Sequence, residues 1–312
     1  MRIALITPAP PGSRYGNRNT ALRWAALLRE LGHRVRVQRE WDGGTADAMI
    51  ALHALKSHAA IARFAEAFPA RPLVVALTGT DLYRDIRIDA AAQHSLQLAS
   101  RLVVLQSLGA DELAPSLRDK TYVVCQSTRP MRRLPPLARC FEICVSGHLR
   151  QEKDPFRAAA ALACLPGHKR LRVTHIGGAM SEAMAAEARS WMARELRYHW
   201  LGEVPAWKAA RILGRSRVMV ISSRLEGGAN VVSEAITAGV PVIASRIPGN
   251  VGLLGDDYPG YYPVEDEQAL AGLFARAADD ADFLARLEAA VIARRPLVSR
   301  DAEREALRRV LL

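Results

Sequence analysis

Two glutamates eight positions apart frame the segment of this sequence with the clearest capacity for chemistry. Glu226 stands before the glycine pair Gly227 and Gly228, and Glu234 lies in the run of residues that follows. The pattern over 222–245 predicts a strand, a Gly-Gly turn, a helix, a Gly-Val-Pro turn and a second strand. Such glycines let the backbone approach a ligand and direct helix N-terminal amides at a phosphate. A carboxylate there can accept hydrogen bonds from two vicinal sugar hydroxyls. The alternative interpretation is structural, with Glu226 capping the helix and Glu234 on its solvated face.

A second candidate is a pair of cations, Arg150 and Lys153, in the segment 145–153. The apolar run before them predicts a strand, so both side chains project from a turn at the carboxyl end of that strand. Two cations there can neutralise the charge of a departing phosphate group. Taken alone, the pair is more typical of solvated charges at the start of a helix.

The N-terminal half contributes polar loops that follow predicted strands. The loop over 11–20 combines glycines that permit a turn, hydrogen-bonding side chains and two arginines. Its candidate ligand-binding residues are Gly12, Ser13, Arg14, Gly16, Asn17, Arg18 and Asn19. Thr78, Thr80 and Asp81 end another strand, with Asp81 either binding a sugar hydroxyl or capping the next segment. His53 follows a third strand, where a lone histidine is more often structural than catalytic.

The charge of the chain favours an anionic partner. The net charge is +11, from 43 Lys and Arg against 32 Asp and Glu, and residues 1–140 carry 20 basic and 11 acidic side chains. No run of Lys and Arg exceeds two residues and aromatic residues make up 6%, so nucleic acid is disfavoured as a partner. The partners that the charge still allows are a small anionic substrate and an anionic membrane surface.

The four cysteines form no CxxC pair, and no second pair of cysteines completes a metal site. We expect buried thiols and no bound metal. No apolar run reaches the roughly 18 residues of a membrane-spanning helix, and the first residues lack the pattern of a signal peptide. We therefore expect a cytoplasmic protein, and of the two anionic partners we favour the small substrate over membrane contact.

Alternating strands and helices predict an α/β fold with two doubly wound parallel sheets. A Pro- and Arg-rich stretch over 129–136 interrupts the first series, and a second series begins at Phe141. We predict Rossmann-like domains over 1–138 and 139–295 and a C-terminal helix over 296–312 that returns to the N-terminal domain. Such folds bind ligands at the carboxyl ends of their strands, so we expect an enzyme or a clamshell binding protein.

The segment around the two glutamates resembles the signature of family 4 nucleotide-sugar glycosyltransferases. That signature is a Glu, seven residues, a second Glu, an Ala and a Gly-x-Pro turn, and it is matched by Glu226, Glu234, Ala235, Gly239 and Pro241. The resemblance implies the GT-B fold, in which two Rossmann-like domains face each other across a cleft. It also implies that Glu226 lies near the donor sugar and that Glu234 binds the nucleotide ribose.

The same resemblance extends to the loop around Gly147, which is similar to the family's Gly-x-Leu-x-x-x-Lys loop. It implies that Arg150 and Lys153 hold the donor diphosphate and are catalytic together with Glu226, without a metal ion or other cofactor. The implied nucleotide-sugar-binding residues are Gly147, Gly227, Gly228, Ala229, Asn230, Val231 and Glu234. The N-terminal loops then serve the acceptor and the phosphates.

The whole chain resembles a narrower group, the selenosugar synthases of selenoneine biosynthesis. The resemblance lies in the segments 6–18, 77–83 and 226–234 and in the short length. It implies transfer from UDP-N-acetylglucosamine, or UDP-glucose, to selenophosphate, giving a selenosugar, UDP and phosphate. Two alternatives stay open. One is an ordinary family 4 glycosyltransferase with a carbohydrate or lipid-linked acceptor, and the other is a non-catalytic sugar-nucleotide-binding protein.

Overall fold

The structure, a computed structural model, describes residues 1–13 and 15–312 of the chain. Its internal contacts divide the chain into two compact units, each assembled from separate stretches. The first unit comprises Met1–Ser127, Glu226–Asn230 and Ser299–Leu312. The second comprises Thr128–Leu225 and Val231–Val298.

A parallel sheet of six strands forms the centre of the first unit. The strands are β1 (Arg2–Ile6), β2 (Arg34–Gln38), β3 (Ala48–Leu52), β4 (Leu73–Leu77), β5 (Arg101–Val104) and β6 (Thr121–Val123). Their order in the sheet is β2-β1-β3-β4-β5-β6. Every residue of β3 and β4 is buried, and both strands are uninterrupted apolar runs. This pattern is the one expected of parallel strands that are covered on both faces.

Helices flank this sheet on both faces. They are α1 (Gly16–Glu30), α2 (His58–Ala67), α3 (Ile86–Ile88), α4 (Ala90–Leu98) and α5 (Pro115–Arg118). Trp24, Leu27 and Leu28 of α1 are fully buried in one core cluster, while Phe64 of α2 belongs to a second cluster. The apolar faces of the helices therefore supply the layers that bury the sheet.

The second unit repeats this architecture. Its strands are β7 (Phe141–Ser146), β8 (Leu171–Ile176), β9 (Tyr198–Trp200), β10 (Val218–Ile221), β11 (Val242–Ser245) and β12 (Tyr261–Tyr262). All of them pair in parallel, in the order β12-β11-β10-β7-β8-β9. The two sheets bear out the predicted α/β fold with two Rossmann-like domains.

The remaining helices are α6 (Arg157–Ala163), α7 (Glu182–Arg194), α8 (Ala206–Arg215), α9 (Asn230–Ala238), α10 (Pro248–Leu254), α11 (Glu267–Asp279), α12 (Ala281–Ala293) and α13 (Arg300–Leu311). Side chains of Ser181, Asp266, Asp280 and Ser299 cap α7, α11, α12 and α13 by accepting backbone N–H groups. The last helix, α13, belongs to the first unit, where Leu307 is buried with the apolar residues of α1.

The structure differs from the sequence predictions at several boundaries. The division between the units precedes the predicted boundary at 138, because Leu134 N and Arg133 Nη1 donate to the carbonyl oxygen of Gly214 in the second unit. The residue pattern over 108–113 predicts a helix, whereas the structure has a 3₁₀ turn over Ser107–Glu112. In the described part of the chain, no helix has the length and apolar character needed to cross a membrane.

Candidate active site

The strand order of the second unit marks a ligand-binding position. From β7 the chain proceeds to β8 and β9 on one side, whereas β10, β11 and β12 lie on the other side. The sheet therefore reverses its order between β7 and β10, and open α/β sheets bind ligands at the carboxyl ends of strands at such a point. Residues 147–153 follow β7 and residues 222–224 follow β10. The predicted cation pair thus lies at the switch point of its own unit.

The loop over 147–153 is anchored by the buried Leu149 and carries both predicted cations. Leu149 is fully buried and its N–H donates to the carbonyl oxygen of Gly178 at 2.9 Å. Arg150 follows in an extended conformation and is exposed, and a 3₁₀ turn over Gln151–Lys153 leaves Lys153 half-buried. Both predicted phosphate-binding cations are therefore carried by a short segment with fixed ends.

The end of β10 fixes this loop from the other side. The Ser222 hydroxyl lies 3.0 Å from the carbonyl oxygen of Lys153 and 2.9 Å from that of Asp154. Arg224 N donates to the carbonyl oxygen of Glu152 at 2.9 Å. Asp154 adopts the left-handed conformation, with φ of 43°, which ends the turn. Because these bonds hold the backbone, the loop needs little reorganisation to meet an anion.

A buried histidine supports the first residue of the same loop. His175 Nε2 lies 3.1 Å from the carbonyl oxygen of Gly147, and its Nδ1 lies 2.9 Å from the Tyr198 hydroxyl. Burial lowers the pKa of His175 to about 4, so the ring is neutral at pH 7. A neutral ring that donates from Nε2 to Gly147 can accept from the Tyr198 hydroxyl at Nδ1. His175 therefore acts as a support inside the fold.

A small pocket lies beside these residues in the second unit. Its lining includes Gly147, His148, Lys153, Ser222, Ser223 and Val231. Backbone amides, hydroxyls and an ammonium group are thus gathered at the end of the sheet. This set of donors is suited to phosphate oxygens.

Glu234 lies one turn into α9 and is half-buried. Burial, with added negative charge from Glu142 and Glu234, raises the pKa of the Cys144 thiol on β7. Glu234 is therefore partly withdrawn from solvent, in contrast to a carboxylate on a fully solvated face.

The predicted glycine-rich loop of the first unit divides into a turn and a helix start. Gly12 is exposed with φ of 78°, and the Ser13 hydroxyl donates to the carbonyl oxygen of Pro10 at 2.8 Å. The structure corrects the loop assignment of Gly16, Asn17 and Arg18, which together with Asn19 form the first turn of α1. Arg18 Nε is buried without a hydrogen-bond partner among the described residues. Arg14 lies outside the described residues.

Asp81 braces the ends of two strands. Its carboxylate accepts from the N–H groups of Thr78, Gly79 and Ala54 at 2.8–3.0 Å. The side chain is fully buried, so of the two predicted roles the structure shows the local, structural one. Thr78 and Thr80 are half-buried beside it.

His53 occupies a strained position next to Thr80. Its φ is 75°, a conformation that costs energy for a residue with a side chain, and its Nε2 lies 3.1 Å from the Thr80 hydroxyl. Burial lowers the pKa of His53, although Asp81 and Asp85 act in the opposite direction. Asp85 Oδ2 is buried without a hydrogen-bond partner in the described chain, 3.9 Å from His53 Nε2.

The Gly-Gly segment is packed against the backbone of the first unit. A Cβ on Gly227 would lie 2.5 Å from the carbonyl carbon and oxygen of Thr78. A Cβ on Gly228 would lie 2.5 Å from Cβ of Leu105. Glu226 is 8% exposed. Since α9 begins at Asn230, Glu226 lies four residues before the helix, and close packing alone requires glycine at 227 and 228.

Sequence reasoning missed the supporting residues Ser222 and His175. Ser222 ends a predicted strand and resembles any polar residue there. Only the tertiary fold brings its hydroxyl to the carbonyls of residues 153 and 154, 69 and 68 positions away.

Comparison with known protein families identifies the second half of the chain. A family model described as glycosyl transferases group 1 matches residues 138–294, half of the chain. The chain belongs to the group 1 glycosyl transferases. Within the matched region of this glycosyl transferase lie the cation pair, the Gly-Gly segment and Glu234. A comparison with curated protein sequences found no match.

Solved structures share the fold of this glycosyl transferase over its whole length. HepE of Anabaena, in a complex with UDP and glucose, has a TM-score of 0.80 at 17% identity, covering 100% of this chain and 99% of HepE. Sucrose-phosphate synthase of Thermosynechococcus elongatus has a TM-score of 0.76 at 16% identity, covering 99% and 97%. A glycosyltransferase of Rickettsia africae has a TM-score of 0.75 at 12% identity, also covering 99% and 97%.

Proposed function

We propose that this glycosyl transferase moves the sugar of UDP-N-acetylglucosamine to selenophosphate, giving a selenosugar, UDP and phosphate. The observation that carries the donor part of the proposal is the anchored loop 147–153 at the switch point of the second unit, which presents Arg150 and Lys153. Its two cations and the adjoining amides suit a nucleoside diphosphate, both as a bound group and as a leaving group.

UDP is proposed as the nucleotide because a solved structure with the same fold contains it. HepE, which shares the fold over its full length, was solved with UDP and with UDP-glucose. In the proposed arrangement Arg150 and Lys153 bind the diphosphate, and Glu234 accepts hydrogen bonds from the ribose hydroxyls. Glu226 and the Gly227–Gly228 backbone contact the donor sugar.

The proposed chemistry at the leaving group needs no metal ion. As the bond from the anomeric carbon to the β-phosphate oxygen breaks, negative charge grows on UDP. Fixed cations and N–H dipoles stabilise such charge without reorganising. The hydrogen bonds from Ser222 and Arg224 to the loop backbone supply that rigidity.

Selenophosphate is proposed as the acceptor from the resemblance of the chain to the selenosugar synthases, and charge and proton balance are compatible with it. Selenophosphate is a strong acid whose selenium is deprotonated near neutral pH, so its attack needs no general base. The selenium lone pair forms the C–Se bond while the C–O bond to UDP breaks. Water then adds at phosphorus, which splits the Se–P bond and releases phosphate. The first unit offers a cationic binding region in Arg18, whose Nε is buried without a partner among the described residues.

Calorimetric titration separates the donor proposal from the acceptor proposal. We expect UDP and UDP-N-acetylglucosamine to bind at one site, with ADP much weaker. A protein that binds neither UDP nor a UDP-sugar would overturn the donor assignment. Initial rates with selenophosphate, inorganic phosphate and lipid-linked or free sugars then test the acceptor. A rate that depends on a sugar and not on selenophosphate would reject the selenium chemistry while keeping the donor site.

A further inference from the structure

A buried carboxylate of the C-terminal helix lies at the centre of a polar network in the first unit. Glu303 of α13 is 1% exposed. It accepts from Arg23 Nε at 3.0 Å on both oxygens and from Trp24 Nε1 at 2.8 Å. Ser127 donates to it from its N–H at 2.9 Å and from its hydroxyl. Such a carboxylate is fully satisfied by partners that lie far from it in sequence.

The network continues from Arg23 to the Gly-Gly segment. Arg23 Nη1 donates to Asn230 Oδ1 at 3.2 Å. With its amide oxygen toward Arg23 Nη2, Gln126 donates to Asn230 Oδ1 at 3.0 Å and to the carbonyl oxygen of Gly228 at 3.1 Å. Glu303 fixes the planar guanidinium of Arg23. The Nη1 of that guanidinium and the side-chain amide of Gln126 then hold the segment 226–230 through Gly228 and Asn230.

The position of this segment is set on its other side by packing. Gly227 and Gly228 leave no space for a Cβ against Thr78 and Leu105. Packing alone fixes how closely the segment approaches, whereas directional hydrogen bonds fix its orientation. The packing contacts act on Gly227 and Gly228, and the hydrogen bonds act on Gly228 and Asn230, so the two sets meet at Gly228.

We infer that Arg23, Gln126 and Glu303 are positioning residues that orient the segment 226–230 for sugar transfer, so that α13 controls turnover without touching a substrate. This inference rests on the proposed function, in which the segment contacts the donor sugar. Misplacing reacting groups by about 1 Å costs roughly 10²-fold in rate, so a partial loosening is expected to lower kcat more than it changes KM.

Two variants and one matched control test the inference. Glu303→Gln removes the charge that fixes Arg23, and Arg23→Lys keeps the ion pair while losing the planar fork that reaches Asn230. Glu305→Gln is the control, since Glu305 lies on the same helix but pairs with Arg308 and Arg309 at the surface. The measurements are amide hydrogen exchange over 226–230 in the free protein, the thermal midpoint, and kcat and KM.

In Arg23→Lys and Glu303→Gln we expect ~10-fold faster exchange over 226–230, with β3 and β4 still protected, and kcat lowered ~10-fold at nearly unchanged KM. Exchange over 226–230 equal to that of Glu305→Gln would overturn the inference. So would a loss of kcat that only follows the loss of folded protein. If Glu303→Gln does not fold, the exchange and kcat of Arg23→Lys alone support or reject the inference. The exchange measurement needs no substrate, so a failure of the proposed function leaves it able to support or reject the network.

Discussion

The two segments at the centre of the proposed chemistry are built in opposite ways. Residues 147–153 of the second unit carry an exposed Arg150 and a half-buried Lys153 on a backbone held by Ser222. Residues 226–230 of the first unit carry a buried Glu226 and two glycines with no room for a side chain. The first segment contributes charge through its side chains, and the second contributes shape through its backbone.

This difference predicts two kinds of sensitivity to substitution. Removing a cation from 147–153 leaves the fold intact and changes the electrostatics at the diphosphate. Adding one methyl group in 226–230 pushes against the backbone of Thr78 and displaces the segment. Substitutions in 147–153 should therefore lower turnover without lowering stability, whereas substitutions in 226–230 should lower both turnover and stability.

The largest expected effect is on turnover after loss of a cation. Arg150→Ala and Lys153→Ala should each lower kcat by about 10²–10³-fold, the range for removing one group that stabilises developing negative charge. Their thermal midpoints should match that of the native protein. Lys169→Ala, at an exposed lysine of the same unit, is the matched control. Near-normal turnover in both variants would remove these cations from the leaving-group role.

His175, which supports Gly147, should give the free energy of unfolding a pH-dependent contribution of about 3 kcal/mol. Its pKa in the fold is about 4, against about 6.5 in an unfolded chain. The unfolded chain therefore binds the proton first, and this contribution to stability is complete above pH 6.5 and lost as the pH falls toward 4. Urea unfolding of the native protein and His175→Gln at pH 7, 5.5 and 4.5 measures it. Parallel pH dependences for the two proteins would contradict the buried neutral ring.

Gly227→Ala should lower kcat/KM by about 10²-fold, because a displacement near 1 Å at a reacting centre costs that much. The clash of its Cβ with Thr78 should also reduce stability by about 1–3 kcal/mol. Gly167→Ala is the control, since a Cβ there meets no atom within 4 Å. A Gly227→Ala protein with native activity would show that the close packing around this residue has no bearing on transfer.

The smallest expected effect concerns the ribose. Loss of a hydrogen bond to a charged acceptor costs about 1.5–3 kcal/mol, so Glu234→Ala should weaken UDP binding roughly 10- to 100-fold. The native protein should prefer UDP over 2′-deoxy-UDP, and the variant should lose that preference. Glu187→Ala, at an exposed glutamate of α7, provides the comparison. Unchanged discrimination in Glu234→Ala would exclude the ribose contact.

The strands that position both segments were predictable from the sequence, because parallel strands covered on both faces are continuous apolar runs. The runs over 48–52 and 73–77 coincide with β3 and β4. The helical pattern of the sequence begins at about Asn19 and predicts the start of α1 three residues late, because glycine is a poor helix former and α1 begins at Gly16. The cation pair and the glycines were named from local patterns that the family match contains.

The supporting contacts were beyond sequence reasoning for a physical reason. Arg23 and Glu303 meet across 280 positions, and neither residue belongs to a local pattern that distinguishes it from a surface charge. Their pairing depends on α13 packing beside α1 in the first unit. Likewise, the burial of His175, on which its low pKa depends, is a property of the assembled second unit.

Anaerobic incubation with UDP-N-acetylglucosamine, with and without selenophosphate, tests the proposed reaction most directly. UDP release and the mass of the product are followed together. We predict UDP release only when selenophosphate is present, and a product with a selenium isotope pattern on an N-acetylhexosamine. UDP release that is indifferent to selenophosphate, or none at all, would contradict the proposed transfer.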